Sequence, residues 1–305
     1  MKCLLLGGNG FIGQKLIQKV LSGHEIIIAD RVCSAELDDD PKIKFTAFDF
    51  IKDDFFPLLD GVDVVFHLIS TVFPVNGTEN LSDEISANLL PTIRLLDAMA
   101  VLGKSRLIFF SSGGTIYGEE NNFPIGEKAS PQPVCKYGVH KLAIEKYIHL
   151  YNVYHDLDYR IIRLSNPYSS KVFSKRLQGV IPIFIEKIYK GEPIAIWGDG
   201  NTKRDYIHIN DAVFGVKALM DYTGPEKIFN VGTEVSVSLN ELITLIVNIM
   251  GYSRPTVNYL PGRKCDVTEN RLDISLIKQC TEWAPAVSLS DGIKMCIKER
   301  MKNDN

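Results

Sequence analysis

The sequence predicts an α/β protein, a doubly wound parallel sheet followed by a smaller C-terminal α/β lobe. Three observations carry that prediction. Short, unbroken apolar runs alternate with segments of helical periodicity through the first half; the first run ends in a glycine loop; and the alternation breaks down after Asn166-Pro167. Alternating strands and helices build a parallel sheet with helices on both faces. Strands buried on both faces read as continuous apolar runs.

The runs Leu4–Leu6, Glu25–Ala29, Val62–Leu68, Arg106–Phe110 and Tyr159–Leu164 are read as strands. The periodic segments Phe11–Leu21, Asp83–Leu102 and Lys136–Tyr151 are read as helices between them. Past residue 166, Pro and Gly become frequent, and the helices Gln178–Tyr189 and Leu239–Met250 no longer alternate strictly with strands. We therefore expect a dinucleotide-binding domain over residues 1–166, with 205–231 returning to it. A substrate lobe is expected over 167–204 and 232–305, leaning on the carboxyl edge of the sheet, where open α/β sheets bind ligands.

Composition narrows the class. The 305 residues are 45% hydrophobic and 23% charged, with a formal net charge of −3. That is ordinary globular usage, and the absence of a polybasic stretch argues against nucleic acid as a partner. No apolar run reaches the roughly 18 residues that suggest a membrane span. The opening run Cys3-Leu4-Leu5-Leu6 is too short for a signal peptide. Six cysteines at 3, 33, 135, 265, 280 and 296 form no C-x-x-C pair and have no histidine cluster beside them. The expectation is a cytoplasmic protein with reduced thiols and no metal site.

Gly7, Gly10 and Gly13 follow the first strand and open the first helix with G-x-x-G-x-x-G spacing. Bare backbone there lets a pyrophosphate approach the helix N-terminus, whose free N–H groups and dipole favour negative charge. A glycine pattern alone also makes ordinary turns. Its position after a strand and before a helix, with a second strand ending in Asp30, points to a dinucleotide. Asp30 is placed to accept the ribose hydroxyls of NAD and to repel the 2′-phosphate of NADP. Arg31 beside it has the opposite charge and could grip that phosphate. Asp49 and Phe50, past the third strand, are candidates to meet adenine.

Tyr137-Gly138-Val139-His140-Lys141 has Y-x-x-x-K spacing on an expected helix, so Tyr137 and Lys141 share one face. An ammonium beside the phenol, aided by a positive nicotinamide, is expected to lower the tyrosine pKa toward working pH. The phenolate then takes a hydroxyl proton while NAD oxidises the same carbon. Lys141 would also hold the nicotinamide ribose. His140 points off that face, which assigns it a structural or solvent role.

With these pieces in place the chain resembles the extended short-chain dehydrogenase/reductase family, within its NAD-dependent epimerase/dehydratase group, and is most similar to its UDP-sugar 4-epimerase branch. The likeness runs through Gly7–Gly13, Val64–Leu68, Asn88 to Met99, Phe110-Ser111-Ser112 to Tyr117-Gly118, and Tyr137–Lys141. It continues through Arg163–Pro167, Trp197–Gly200, Arg204–His208 and Pro261-Gly262-Arg263. The resemblance implies a Rossmann-type domain and a homodimer. It adds Phe11, Ile12, Leu68, Ile69, Ser70, Asn88, Ser111 and Leu164 to the cofactor site. It implies that Arg204 and Arg263 hold a nucleotide's diphosphate, that Asp266 binds its ribose, and that Asn166, Gln178, Val180, Tyr206 and Asn270 line the substrate.

The same resemblance implies a serine or threonine that bridges the sugar hydroxyl and the tyrosine. Counting back from Tyr117 it falls on Gly113; counting from Tyr137 or from the strand it falls on Ser112. Ser112 is preferred, with Thr115 as a second hydroxyl. The chain departs from the family at His67-Leu68-Ile69-Ser70, where H-x-A-A is usual. The sugar-facing segment Thr71-Val72-Phe73-Pro74-Val75 has no lysine.

A 4,6-dehydratase needs an acid and a base in the loop before Tyr117, and Gly113-Gly114-Thr115 has neither. Epimerisation needs only reversible oxidation at C4, rotation of the 4-keto sugar about its diphosphate, and non-stereospecific re-reduction. That makes a nucleotide-hexose 4-epimerase the expected function. An NAD(P)H-dependent reductase of an NDP-4-keto-6-deoxy sugar is the alternative, and a non-catalytic NAD(P)-binding protein a lesser one.

Overall fold

The computed structural model describes residues 1–33, 40–71, 81–103, 105–169, 179–263 and 265–302. Gln178 and the segment from Val72 to Val75 therefore lie outside the described residues.

In chain order the elements are β1 (Lys2–Leu6), α1 (Phe11–Lys19), β2 (Glu25–Asp30), β3 (Ile43–Ala47), α2 (Phe56–Leu59), β4 (Val64–His67), α3 (Leu81–Glu84), a π turn (Ile85–Leu89), α4 (Leu90–Leu102), β5 (Arg106–Ser112), α5 (Lys136–His155), β6 (Tyr159–Leu164) and β7 (Asn166–Tyr168). They continue with α6 (Val180–Tyr189), β8 (Ile194–Trp197), β9 (Lys203–His208), α7 (Ile209–Asp221), β10 (Ile228–Val231), β11 (Ser236–Ser238), α8 (Leu239–Met250), β12 (Val257–Leu260), β13 (Glu269–Asn270), α9 (Ser275–Thr281) and α10 (Leu289–Lys302).

Seven strands form one parallel sheet in the order β10-β6-β5-β4-β1-β2-β3. Every residue of β4 is buried, as expected of a strand covered on both faces; each such large apolar side chain contributes about 1.5–3 kcal/mol on leaving water. One face packs on α1 and α7 through Leu16, Ile17, Val213 and Val216. The other packs on α4 and α5 through Leu95, Met99, Ile144 and Ile148. The chain winds outward from β1 in one direction and from β4 in the other. The switch point between β1 and β4 opens a crevice at their carboxyl ends, which is where such sheets bind ligands.

A smaller sheet centres on β9, flanked by β11 and β13, with β7 pairing with β9 as well; β8 and β12 form a separate parallel pair. The helices α6, α8 and α10 bury Ile185, Ile243, Ile246 and Ile293 in a common core. The helix α8 starts where the sequence places it. Ser238 and Glu241 form a reciprocal capping box, which satisfies two orphan donors at the helix start.

The expected helix over Asp83–Leu102 begins earlier and is interrupted by the π turn that carries Asn88. By length and hydropathy the Leu81–Leu102 segment is long and apolar enough to cross a membrane. Here it lies along the sheet with Leu95, Leu96, Ala98 and Met99 buried.

Candidate active site

The glycine loop closes tightly after β1. Gly7 has φ +82°, and a Cβ there would lie 2.9 Å from the Ile69 side chain. A Cβ at Gly13 would stand 2.4 Å from the Gly8 carbonyl oxygen, so only glycine lets α1 start this close to the loop. Gly10 caps α1 without a side-chain bond, and no acidic residue occupies the first turn. The helix start therefore presents bare N–H groups, as a pyrophosphate requires. Asp30 ends β2, and its carboxylate accepts the backbone N–H of Arg31 at 2.8 Å and of Asn9 at 3.3 Å. Phe11, Ile12, Leu68, Ile69 and Ser70 are half-buried around this crevice.

Asp49 and Phe50, the residues expected to meet adenine, both follow β3. Phe50 is a core side chain, packed edge-on at 5.5 Å from Phe55 and 5.2 Å from His67, so its ring is not open to an adenine. Asp49 accepts the Ile51 N–H at 3.0 Å and closes its own turn.

Tyr137 and Lys141 lie one turn apart on α5, against the carboxyl ends of β4 and β5. The Lys141 Nζ donates to the Phe110 carbonyl at 2.7 Å. It lies 4.7 Å from the Phe109 ring centroid and 5.7 Å from that of Tyr137. A small cavity beside the pair is lined by His67, Ile69, Ser70, Asn88 and His140. Asn88 is held by the Thr71 N–H and hydroxyl and by the Glu84 carbonyl. His140 is buried and its Nε2 meets a Glu84 carboxylate oxygen at 2.9 Å, which pins α5 to α3.

Burial dominates the electrostatics of the pair. Burial pushes the Tyr137 phenol up to about 12, with Cys135 adding to the shift. Lys141 does not offset this, because its ammonium is itself desolvated, is bonded to a backbone carbonyl, and is pushed down to about 8 by burial against an opposing pull from Glu145. Loss of solvation outweighs a cation at this distance. The expected lowering of the phenol pKa includes a second cation, the oxidised nicotinamide, beside the ring. Burial, and next Lys141, push His67 down to about 3, so it stays neutral.

The hydroxyls sort by strand phase. Phe109 faces α5 and Phe110 faces α7, so alternation places Ser111 on the α5 side and Ser112 on the opposite one. The Ser111 and Thr115 hydroxyl oxygens are buried with no hydrogen-bond partner. Gly113 has no room for a hydroxyl-bearing side chain, since a Cβ there would lie 2.4 Å from Leu272 and 2.9 Å from the Arg163 carbonyl oxygen. Leu164 is buried, and its carbonyl accepts the Gly113 N–H at 2.8 Å.

The smaller lobe brings most of its candidates near this loop. The Asn166 Nδ2 donates to the Asp205 carbonyl at 3.0 Å, and its amide faces Gly114. Tyr206 pairs with Asn166 across β7 and β9. Arg204 donates to the carbonyls of Lys203 and Val267 and has Asp266 at 3.9 Å. Arg263 stacks on Trp197 at 4.5 Å. Asn270 is buried, donates to the Gly113 carbonyl at 2.8 Å, and keeps its Oδ1 unpartnered. Val180 opens α6.

Sequence reading missed two features. Trp197 is 45% exposed on the end of β8, an aromatic within a quoted motif that went unassigned. Tyr117, Arg163, Glu145 and Asn230 form a buried polar chain, and nothing local in the sequence links them.

A dinucleotide cradle at a topological switch point, with a helical Tyr–Lys pair at its mouth, defines an NAD-binding redox fold. Residues 3–232 match the NAD dependent epimerase/dehydratase family, and the chain belongs to it, with NAD as cofactor. A putative UDP-glucose 4-epimerase of Methanocaldococcus jannaschii is 34% identical, with 99% of each chain covered. A dTDP-4-dehydro-6-deoxyglucose reductase of Escherichia coli is 30% identical over 97% of this chain and 96% of its own. The crystal structure of UDP-glucose 4-epimerase from Thermotoga maritima with UDP-glucose superposes with a TM-score of 0.91, at 30% identity and full coverage of both chains.

Proposed function

We propose that the protein is a 4-epimerase of a UDP-activated hexose. The observation that carries this reading is the Tyr137–Lys141 pair, half-buried tyrosine and buried lysine, at the mouth of the dinucleotide crevice, beside a loop whose residues Gly113, Gly114, Thr115 and Ile116 offer no carboxyl group for a dehydration. Bound NAD supplies the reversible oxidation of the sugar carbon. The Tyr137 Oη accepts the C4 hydroxyl proton and later returns it. Lys141 holds the cofactor ribose and keeps positive charge near the phenol. Ser111 and Thr115, with buried hydroxyls, orient the C4 oxygen, and Ser112 stands on the other face of the strand. Arg204 and Arg263 anchor the diphosphate while the oxidised sugar turns, Asp266 binds the nucleotide ribose, and Asn166 and Tyr206 line the sugar. Guanidinium groups suit that anchor because they grip phosphate oxygens in pairs. In this reading residues 1–166 and 205–231 serve the cofactor, and 167–204 and 232–305 the sugar nucleotide.

The reading includes a homodimer in the cytoplasm. Adjacent helices α4 and α5 expose Leu90, Val101, Val139, Leu150, Val153 and Tyr154, an apolar face that a second copy would cover. All six cysteines are free thiols, which suits a reducing compartment. The reductase relative supports a second reading, since a 4-keto reductase uses the same hydroxyl, phenol and lysine. The two differ in whether the protein retains its cofactor between turnovers, so interconversion of C4 epimers with no cofactor added separates them.

Asn270 bears on the sugar. In this reading it borders the C2 substituent, and its unpartnered Oδ1 can accept an amide N–H or a hydroxyl. Both UDP-N-acetylhexosamines and UDP-hexoses are then expected as substrates. Asn270→Tyr should cut kcat/KM for UDP-N-acetylglucosamine roughly 5- to 150-fold more than for UDP-glucose, the steric cost of overfilling a packed site being about 1–3 kcal/mol. Equal losses on both would remove Asn270 from the sugar pocket.

A further inference from the structure

One turn beyond Lys141 on α5, Glu145 is buried and gripped at both oxygens by Arg163 of β6, at 2.7 and 3.2 Å. The Arg163 Nη1 donates to the Tyr117 hydroxyl at 3.0 Å and to the Glu127 carbonyl at 3.3 Å. Tyr117 in turn donates to the Asn230 Oδ1 at 2.7 Å. The Asn230 Nδ2 donates to the Ile125 and Asp273 carbonyls at 2.8 and 3.2 Å, and its backbone N–H to the Glu127 carboxylate at 2.8 Å. The chain runs from the catalytic helix, through β6, to the end of the loop that carries Thr115, and on to β10.

A buried ion pair is often no better for stability than an apolar pair of the same volume. Its position therefore matters more than its strength. We infer that the Glu145–Arg163 pair is the positioning device of Lys141: it fixes the helix turn that follows the lysine and holds a carboxylate on the lysine's side of α5. Residues four apart on a helix are neighbours. Among the described residues, the other groups around Lys141 are uncharged or already paired. Tyr137 shares its helix, the Phe110 carbonyl and Phe109 ring come from β5, neutral His67 from β4, and Asn88 and Glu84 from the adjoining helical segment, with Glu84 bonded to His140. Glu145, though paired with Arg163, is the carboxylate one turn from Lys141 on the same helix, and its pull on the ammonium opposes burial.

The inference rests on the catalytic reading of Lys141, and its test separates the two. In Glu145→Gln the alkaline limb of the kcat–pH profile should move to lower pH by about one unit or more. NAD affinity should weaken at pH 8 and recover near pH 6.5, a readout independent of turnover. Glu145→Asp, which keeps the charge, should return both toward the parent. If Glu145→Gln does not fold, the paired variant Glu145→Leu with Arg163→Met should show a smaller downward shift, because it also removes the Arg163 cation that repels the ammonium. An unmoved limb in any folded variant that lacks the carboxylate, or an Asp variant that behaves like Gln, would overturn the inference. Near-normal activity of Tyr137→Phe would instead overturn the catalytic reading beneath it.

Discussion

Tyr137→Phe is expected to lower turnover about 100-fold or more, while NAD binding and the fold survive. Proton transfer by a positioned side chain contributes on the order of 10²–10⁴-fold, and the phenol oxygen is the group proposed to make it here. The ring stays in place against Lys141, 5.7 Å from its ammonium, so packing changes little. The phenol sits in a site that pushes it up to about 12. The proposed proton shuttle therefore draws on the cofactor's positive charge beside the phenol. Turnover measured under saturating substrate, with bound NAD quantified in parallel, checks the prediction; near-parent turnover would exclude Tyr137 as the proton carrier.

Lys141→Ala should damage two properties together, turnover and NAD affinity. The ammonium bonds the Phe110 carbonyl and lies over the Phe109 ring, at the crevice proposed to hold the cofactor ribose. In the parent enzyme its charge is present below about 8 and lost above it, because burial lowers its pKa from that of an exposed lysine. Activity that depends on the ammonium should therefore fall as pH rises through about 8. That alkaline limb should be absent from whatever residual activity the Ala variant keeps. Calorimetric NAD binding and a pH series of both proteins test this. A variant with parent NAD affinity and the parent profile would place Lys141 outside the site.

The parts legible in the sequence are those set by local repetition. The strands of the main sheet announced themselves because burial on both faces leaves no polar alternation. The glycine loop was readable because close approach at Gly7 and Gly13 admits nothing larger. Tyr137 and Lys141 were readable as a pair because helix geometry puts residues four apart on one face. What escaped depends on distant partners or on a single residue of phase. Arg163 meets Tyr117 across 46 residues and Tyr117 meets Asn230 across 113. The sequence counts place the bridging hydroxyl at Ser112, with Thr115 second, but which face of β5 Ser112 occupies depends on a strand phase that those counts do not fix. The π turn at Asn88 interrupts a sequence whose helical pattern runs on unbroken, and β7 and β13, at three and two residues, are too short to show a period. The tyrosine's raised pKa came from desolvation, which the spacing of the motif does not encode.

In the proposed reaction this chain exchanges the configuration at C4 of a UDP-hexose with its own retained cofactor. The most direct measurement is to incubate the purified protein with UDP-galactose, and separately with UDP-N-acetylglucosamine, without added nucleotide cofactor, and to follow the sugar nucleotides by NMR. At least one should be converted to its C4 epimer until a fixed equilibrium mixture is reached, the same from either side. No interconversion by a folded, NAD-containing protein, together with stoichiometric consumption of added NAD(P)H on a 4-keto-6-deoxy sugar nucleotide, would contradict it and establish a reductase.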